Sequence, residues 1–104
     1  MNFLILLDSA RTSPGVRDAF DAAIKATCPI WWHYMAGAWI VANPEGAGCA
    51  ALCGRLQSIA SRGGAHFLIF ELPSSIEVRG VIPSAGWPWL RERFSQGPEE
   101  SPAP

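Results

Sequence analysis

The chain has 104 residues, enough for one domain, and a domain of this size buries roughly 60 to 65% of the surface its unfolded form exposes. Its net charge of -1 and pI near 6.0 exclude the global basic field that marks many nucleic-acid binders. Hydrophobic residues make up 49% against 16% charged, more apolar surface than one small interior needs, so part of the excess is expected to face a partner.

Asn2 to Leu7 is a short apolar run closed by Asp8 and followed by the polar, turn-forming stretch Ser9 to Ser13, which reads as a first strand and a loop. The run is too short for a signal peptide or a membrane span and has no basic leader, so the expected location is the cytoplasm, with no membrane partner. Ser13-Pro14 reads as a helix start, because the hydroxyl accepts a free backbone N–H and Pro at the first helical position loses no hydrogen bond. Val16, Phe20, Ala23, Ile24 and Thr27 then form an apolar stripe at helical spacing, with Arg17, Asp18, Asp21 and Lys25 largely off it. The helix is expected to end before Pro29.

Ile30 to Ala42 is dense in aromatic and β-branched residues and is divided at Ala36-Gly37, where glycine tolerates the positive φ of a tight hairpin. Two antiparallel strands are expected. After Asn43-Pro44-Glu45, the residues Cys49, Leu52, Cys53, Leu56, Ile59 and Ala60 line one face of a second helix stopped by Gly63-Gly64. Ala65 to Leu72 supplies a fourth strand. The order is that of a βαββαβ ferredoxin-like sandwich, an α+β fold with an antiparallel sheet and both helices on one face. Ile76 to Ile82 reads as a further edge strand, and Trp87 to Phe94 as a short amphipathic helix. The domain spans 1–94, and the Pro-, Glu- and Ser-rich 95–104 is expected to be a disordered tail.

A two-layer sandwich leaves one face of its sheet open, and strands there should alternate apolar and polar. They do not: Phe3, Ile5 and Leu7 oppose Leu4 and Leu6, and Phe67 and Ile69 oppose Leu68, Phe70 and Leu72. Exposing such a face would cost about 1.5 to 3 kcal/mol per large side chain, so a homodimer is expected, with a twofold partner over the open face or continuing its edge.

Several residues carry possible chemistry. His33 is a candidate general acid or base, or a ring hydrogen-bonded within the hairpin. Arg11 and Arg17 are candidate phosphate contacts near the first loop. Three cysteines, Cys28, Cys49 and Cys53, form an odd set without paired CxxC words; with His66 they suggest zinc only weakly, and reduced, buried thiols are expected. Trp31, Trp32, Tyr34 and Trp39 resemble a stacking platform for single-stranded RNA, yet core and dimer packing account for them more simply.

A first strand ending in Asp8, then Trp31-Trp32-His33, Trp39-Ile40-Val41, a strand ending near Glu71, Gly86-Trp87 and Trp89-Leu90 together resemble the small prokaryotic proteins of the SinR family. These are similar in turn to VapD toxins and to the small endoribonuclease-like subunit of CRISPR adaptation. The resemblance covers about Met1 to Phe94. It implies a ferredoxin-like homodimer and, as in the nuclease relatives, an Asp at the end of the first strand that faces its twin and holds Mg²⁺; Asp8 is the matching position. Leu7 stands where relatives often carry tyrosine, and the loop after Asp8 carries Arg11 but no dense basic run. The implied activity is metal-assisted endonucleolytic cleavage of RNA, with RNA or DNA as the nucleic-acid partner and Asp8 as metal ligand; the alternative is a noncatalytic homodimeric binding or accessory protein of a toxin or CRISPR-type system.

Overall fold

A computed structural model of the protein describes residues 2–28, 30–42, 49–73 and 75–94, with Cys49 described for its backbone only. The elements follow as β1 (Asn2–Leu7), α1 (Pro14–Thr27), β2 (Ile30–Met35), β3 (Ala38–Ala42), α2 (Cys49–Gly63), β4 (Phe67–Leu72) and α3 (Trp87–Arg93). Short 3-10 turns at Ser9–Arg11 and Ser84–Gly86 precede α1 and α3. The four strands pair antiparallel in the order β2-β3-β1-β4, so each long helix links two strands that have a third between them. This is the split βαβ arrangement of the ferredoxin-like fold.

The local signals account for the elements. Ser13 caps α1 by accepting a hydrogen bond from the Val16 amide at 3.3 Å, with Pro14 as the first helical residue. α2 ends at Gly63, and Gly64 takes a left-handed φ of 65° that lets the Ala65 amide reach back to the Ala60 carbonyl at 2.8 Å. At the β2–β3 hairpin the reason for glycine differs from the expected one. Gly37 does not have a positive φ; instead a Cβ there would lie 2.5 Å from the Leu7 carbonyl oxygen, so glycine is needed for the close approach of the turn to the end of β1.

Phe3, Ile5, Leu7, Phe20, Ile24, Cys28, Trp39, Val41, Leu52, Leu56 and Ala60 form the core between sheet and helices. A second core lies on the opposite face. Trp32, Ile82, Trp87, Leu90 and Phe94 are buried together, with Ile40, Leu72, Ile76, Val78 and Trp89 packed around them. The expected edge strand over Ile76 to Ile82 is not formed: among the described residues 75–83 carry no strand. Pro73 follows β4 directly and has no N–H to extend the ladder, and Ile76, Val78 and Ile82 bury themselves against the sheet's open face rather than beside its edge. The short helix at Trp87 is present, ending at Arg93. The tail 95–104 lies outside the described residues. No helix among the described residues is long and apolar enough to cross a membrane.

Candidate functional site

β1 delivers Asp8 to one end of the sheet, where backbone hydrogen bonds hold it on three sides. The Leu7 amide donates to the Gly37 carbonyl at 2.8 Å and the Asp8 amide to the His66 carbonyl at 3.0 Å. The Asp8 carbonyl accepts from the Thr12 hydroxyl at 2.7 Å and from the Arg11 amide at 3.2 Å. With its backbone fixed, the side chain of Asp8 is still 41% exposed, and its carboxylate lies 4.0 Å from Arg11 Nε. The Arg11 side chain is 85% exposed, so this ion pair is solvent-screened and leaves the carboxylate open to other cations. Asp8 also lines a shallow depression of about 370 Å³ with Leu6, Leu7, His66, Phe67 and Leu68.

Among the described residues nothing covers the open face beside this depression. Leu4 pairs with Phe70 and Leu6 with Leu68 across β1 and β4. Leu68 and Phe70 are 61% and 46% exposed, and Leu6 is exposed as well. The C-terminal segment, which seals the β2–β3 side of this face, does not bury them.

The structure separates the two residues assigned to catalysis from sequence. His33 stands on β2, where its ring stacks on Trp39 with centroids 4.4 Å apart and its Nδ1 lies 3.3 Å from Asp21 Oδ1. The same Asp21 oxygen accepts the Trp39 indole N–H at 2.8 Å, and the other lies 3.0 Å from Lys25 Nζ. Burial alone would raise the Asp21 pKa, but the hydrogen bonds from Trp39 and Lys25 and the positive charges of Lys25 and His33 outweigh it and hold the carboxyl below its usual range. His33 is therefore a member of an Asp21-centred network, while Asp8 pairs with Arg11. Arg17 sits half-buried in the first turn of α1 and does not pair with Asp8. Of the four residues singled out, only Asp8 and Arg11 meet.

Asp21 and Lys25 were the unrecognised members. Their signal was present, an acid and a base four residues apart on one helix at the border of its apolar stripe, a spacing that brings the two side chains together.

Among the described residues no three His, Cys, Asp or Glu side chains are grouped to hold a metal ion. Cys28 is buried in the core, where desolvation pushes its thiol pKa up despite the charge of Arg55, and Cys53 is half-buried on α2. At this end of the sheet the described residues of one protomer thus offer a hard cation one exposed carboxylate, Asp8, which is less than a complete magnesium site. Searches against protein-family models, curated proteins and solved structures find no match to the chain.

Proposed function

We propose that the protein acts as a homodimer joined through the bare β1–β4 face, with the Asp8 carboxylates of both copies forming a weak Mg²⁺ site for endonucleolytic cleavage of RNA. One observation carries the reading: a solvent-facing carboxylate stands at the rim of an exposed apolar patch on the same two strands. An apolar patch of this kind favours burial against a partner, and a twofold axis through it doubles every group at its border. Two carboxylates supply the oxygen donors that one lacks, with water filling the other positions. Bound there, the ion would lower the pKa of a coordinated water and neutralise charge on a phosphodiester. Asp8 would hold it, and Arg11, already beside Asp8 and mostly in solvent, would meet the phosphate.

A second reading, a noncatalytic homodimeric binding or accessory protein, is favoured by the tie between His33 and Asp21, which takes the expected general base away from Asp8. Sedimentation and an RNA cleavage assay distinguish the two. The first reading expects a dimer at micromolar concentration and cleavage of labelled single-stranded RNA that needs Mg²⁺ and falls to background in Asp8→Asn. Cleavage that persists in Asp8→Asn, or that never appears in a wild-type dimer, removes the first reading; a wild-type monomer removes both.

A further inference from the structure

A second cleft lies on the far side of the sheet from Asp8's strand pair. β2 is an edge strand, pairing with β3 alone among the described strands, and α3 rises beside it. Between them is a cleft of about 540 Å³ lined by Trp31, Trp32, His33, Tyr34, Ala85, Pro88, Trp89 and Glu92. The volume lies within the range of small-ligand sites.

Two of the rings, Trp32 and Tyr34, are set before any ligand arrives. The Trp32 indole N–H donates to the Gly86 carbonyl at 3.0 Å, and the Tyr34 hydroxyl donates to the Ala85 carbonyl at 3.3 Å. Trp31 carries Lys25 Nζ over its ring at 4.2 Å, and Trp89 carries the Arg93 guanidinium at the same distance. Trp31 and Tyr34 are exposed although both are large aromatics at the mouth of the cleft. Trp31 and Trp89, each with a cation against its ring, suit a flat, electron-rich partner flanked by negative charge. The outward backbone groups of an edge strand, with Glu92 and His33 on the walls, supply hydrogen-bond partners for a ring edge.

We propose that this cleft holds one unpaired base of single-stranded RNA, stacked on Trp31 and Trp89, with Lys25 and Arg93 meeting its flanking phosphates. The inference rests on the reading that the chain acts on RNA, and it adds a binding site apart from Asp8. Both cations already have carboxylate partners, Lys25 with Asp21 and Arg93 with Glu92. Stacking therefore supplies most of the affinity, and the salt dependence is shallow, with a slope matching only one or two phosphates.

The test is quenching of indole fluorescence by a short oligoadenylate RNA in EDTA, so that no cleavage intervenes. Trp31→Ala and Trp89→Ala are each expected to weaken binding about 5- to 100-fold. Trp31→Tyr and Trp89→Tyr, which keep a ring, are expected to retain most of it and guard against a folding defect. Wild-type protein that does not bind the oligonucleotide, alanine variants that bind like wild type, or a proline-rich peptide that occupies the cleft where RNA does not compete would overturn the inference. Asp8-dependent cleavage alongside unaltered binding by the tryptophan variants defeats the stacking site alone. Tryptophan-dependent binding without any cleavage defeats the catalytic reading alone.

Discussion

The centre of the β2–β3 half of the sheet, at Trp32 and Trp39, is covered on both faces by the described residues, whereas the β1–β4 half is covered on one. On the helix side of β2 and β3, Asp21 gathers His33, Trp39 and Lys25 into one polar cluster. On their other side the chain folds back to bury Trp32 under Ile82, Trp87, Leu90 and Phe94. The β1–β4 half has the same helix-side core but leaves Leu6, Leu68 and Phe70 exposed. A strand pair with both faces apolar needs two covers, and the described residues supply the second one over Trp32 and Ile40 but not over Leu6, Leu68 and Phe70. The difference sets part of the apolar excess, Leu6 and Leu68, beside Asp8.

The sharpest way to break the contrast is to remove the cover. Trp87 is 1% exposed at the centre of the second core, so Trp87→Ala should cost about 3 to 5 kcal/mol in urea unfolding. A loss under about 1 kcal/mol would show that the C-terminal segment is an ornament of the fold and not its second core. Gly37→Ala comes next. Its new methyl would press on the Leu7 carbonyl where the hairpin meets β1, at an expected cost of about 1 to 3 kcal/mol. Because that contact also fixes the start of the Asp8 loop, any RNA cleavage should fall with it.

The short β-rich runs and the capping signals made the four strands and both long helices legible, since Ser13-Pro14, Gly63-Gly64 and the apolar stripes each act over a few residues. The stretch Ile76 to Ile82 was not, because Ile76, Val78 and Ile82 carry a strand's alternation while packing on a face 36 to 50 residues away in sequence, near Trp32 and Ile40. Periodicity reports which side chains turn inward but not what they meet. The same limit explains His33: its neighbours Asp21 and Trp39 come from a different helix and strand, and only the fold brings the three together. Asp8 and Arg11 were found together because they are three residues apart.

The polar lock on the β2–β3 half makes a pH-dependent prediction. Asp21 has an ordinary carboxyl pKa near 3.8 when unfolded and a lower one when folded. A group depressed by folding adds stability above its unfolded pKa and loses it as pH falls through the folded value. Asp21→Asn should therefore destabilise by about 1 kcal/mol at neutral pH, the scale of a hydrogen bond to a partly buried carboxylate. The gap to wild type should close as pH drops below about 4. Equal destabilisation at acid and neutral pH would mean that the carboxylate charge is not what holds His33, Trp39 and Lys25 in place.

The smallest effect on the protomer is expected where the sheet is bare. Leu68 is 61% exposed, so Leu68→Glu removes little buried surface and should change urea stability measured at low protein concentration by no more than about 0.5 kcal/mol. In a dimer joined through this face the same change sets a charge against the partner's apolar patch, and because a twofold axis repeats it, each interface receives the insult twice. Sedimentation should shift to the monomer, and cleavage should vanish with it while oligoadenylate binding at the β2 cleft is kept. A variant that stays dimeric would move the interface off β1–β4, and the two Asp8 carboxylates would then have no reason to meet.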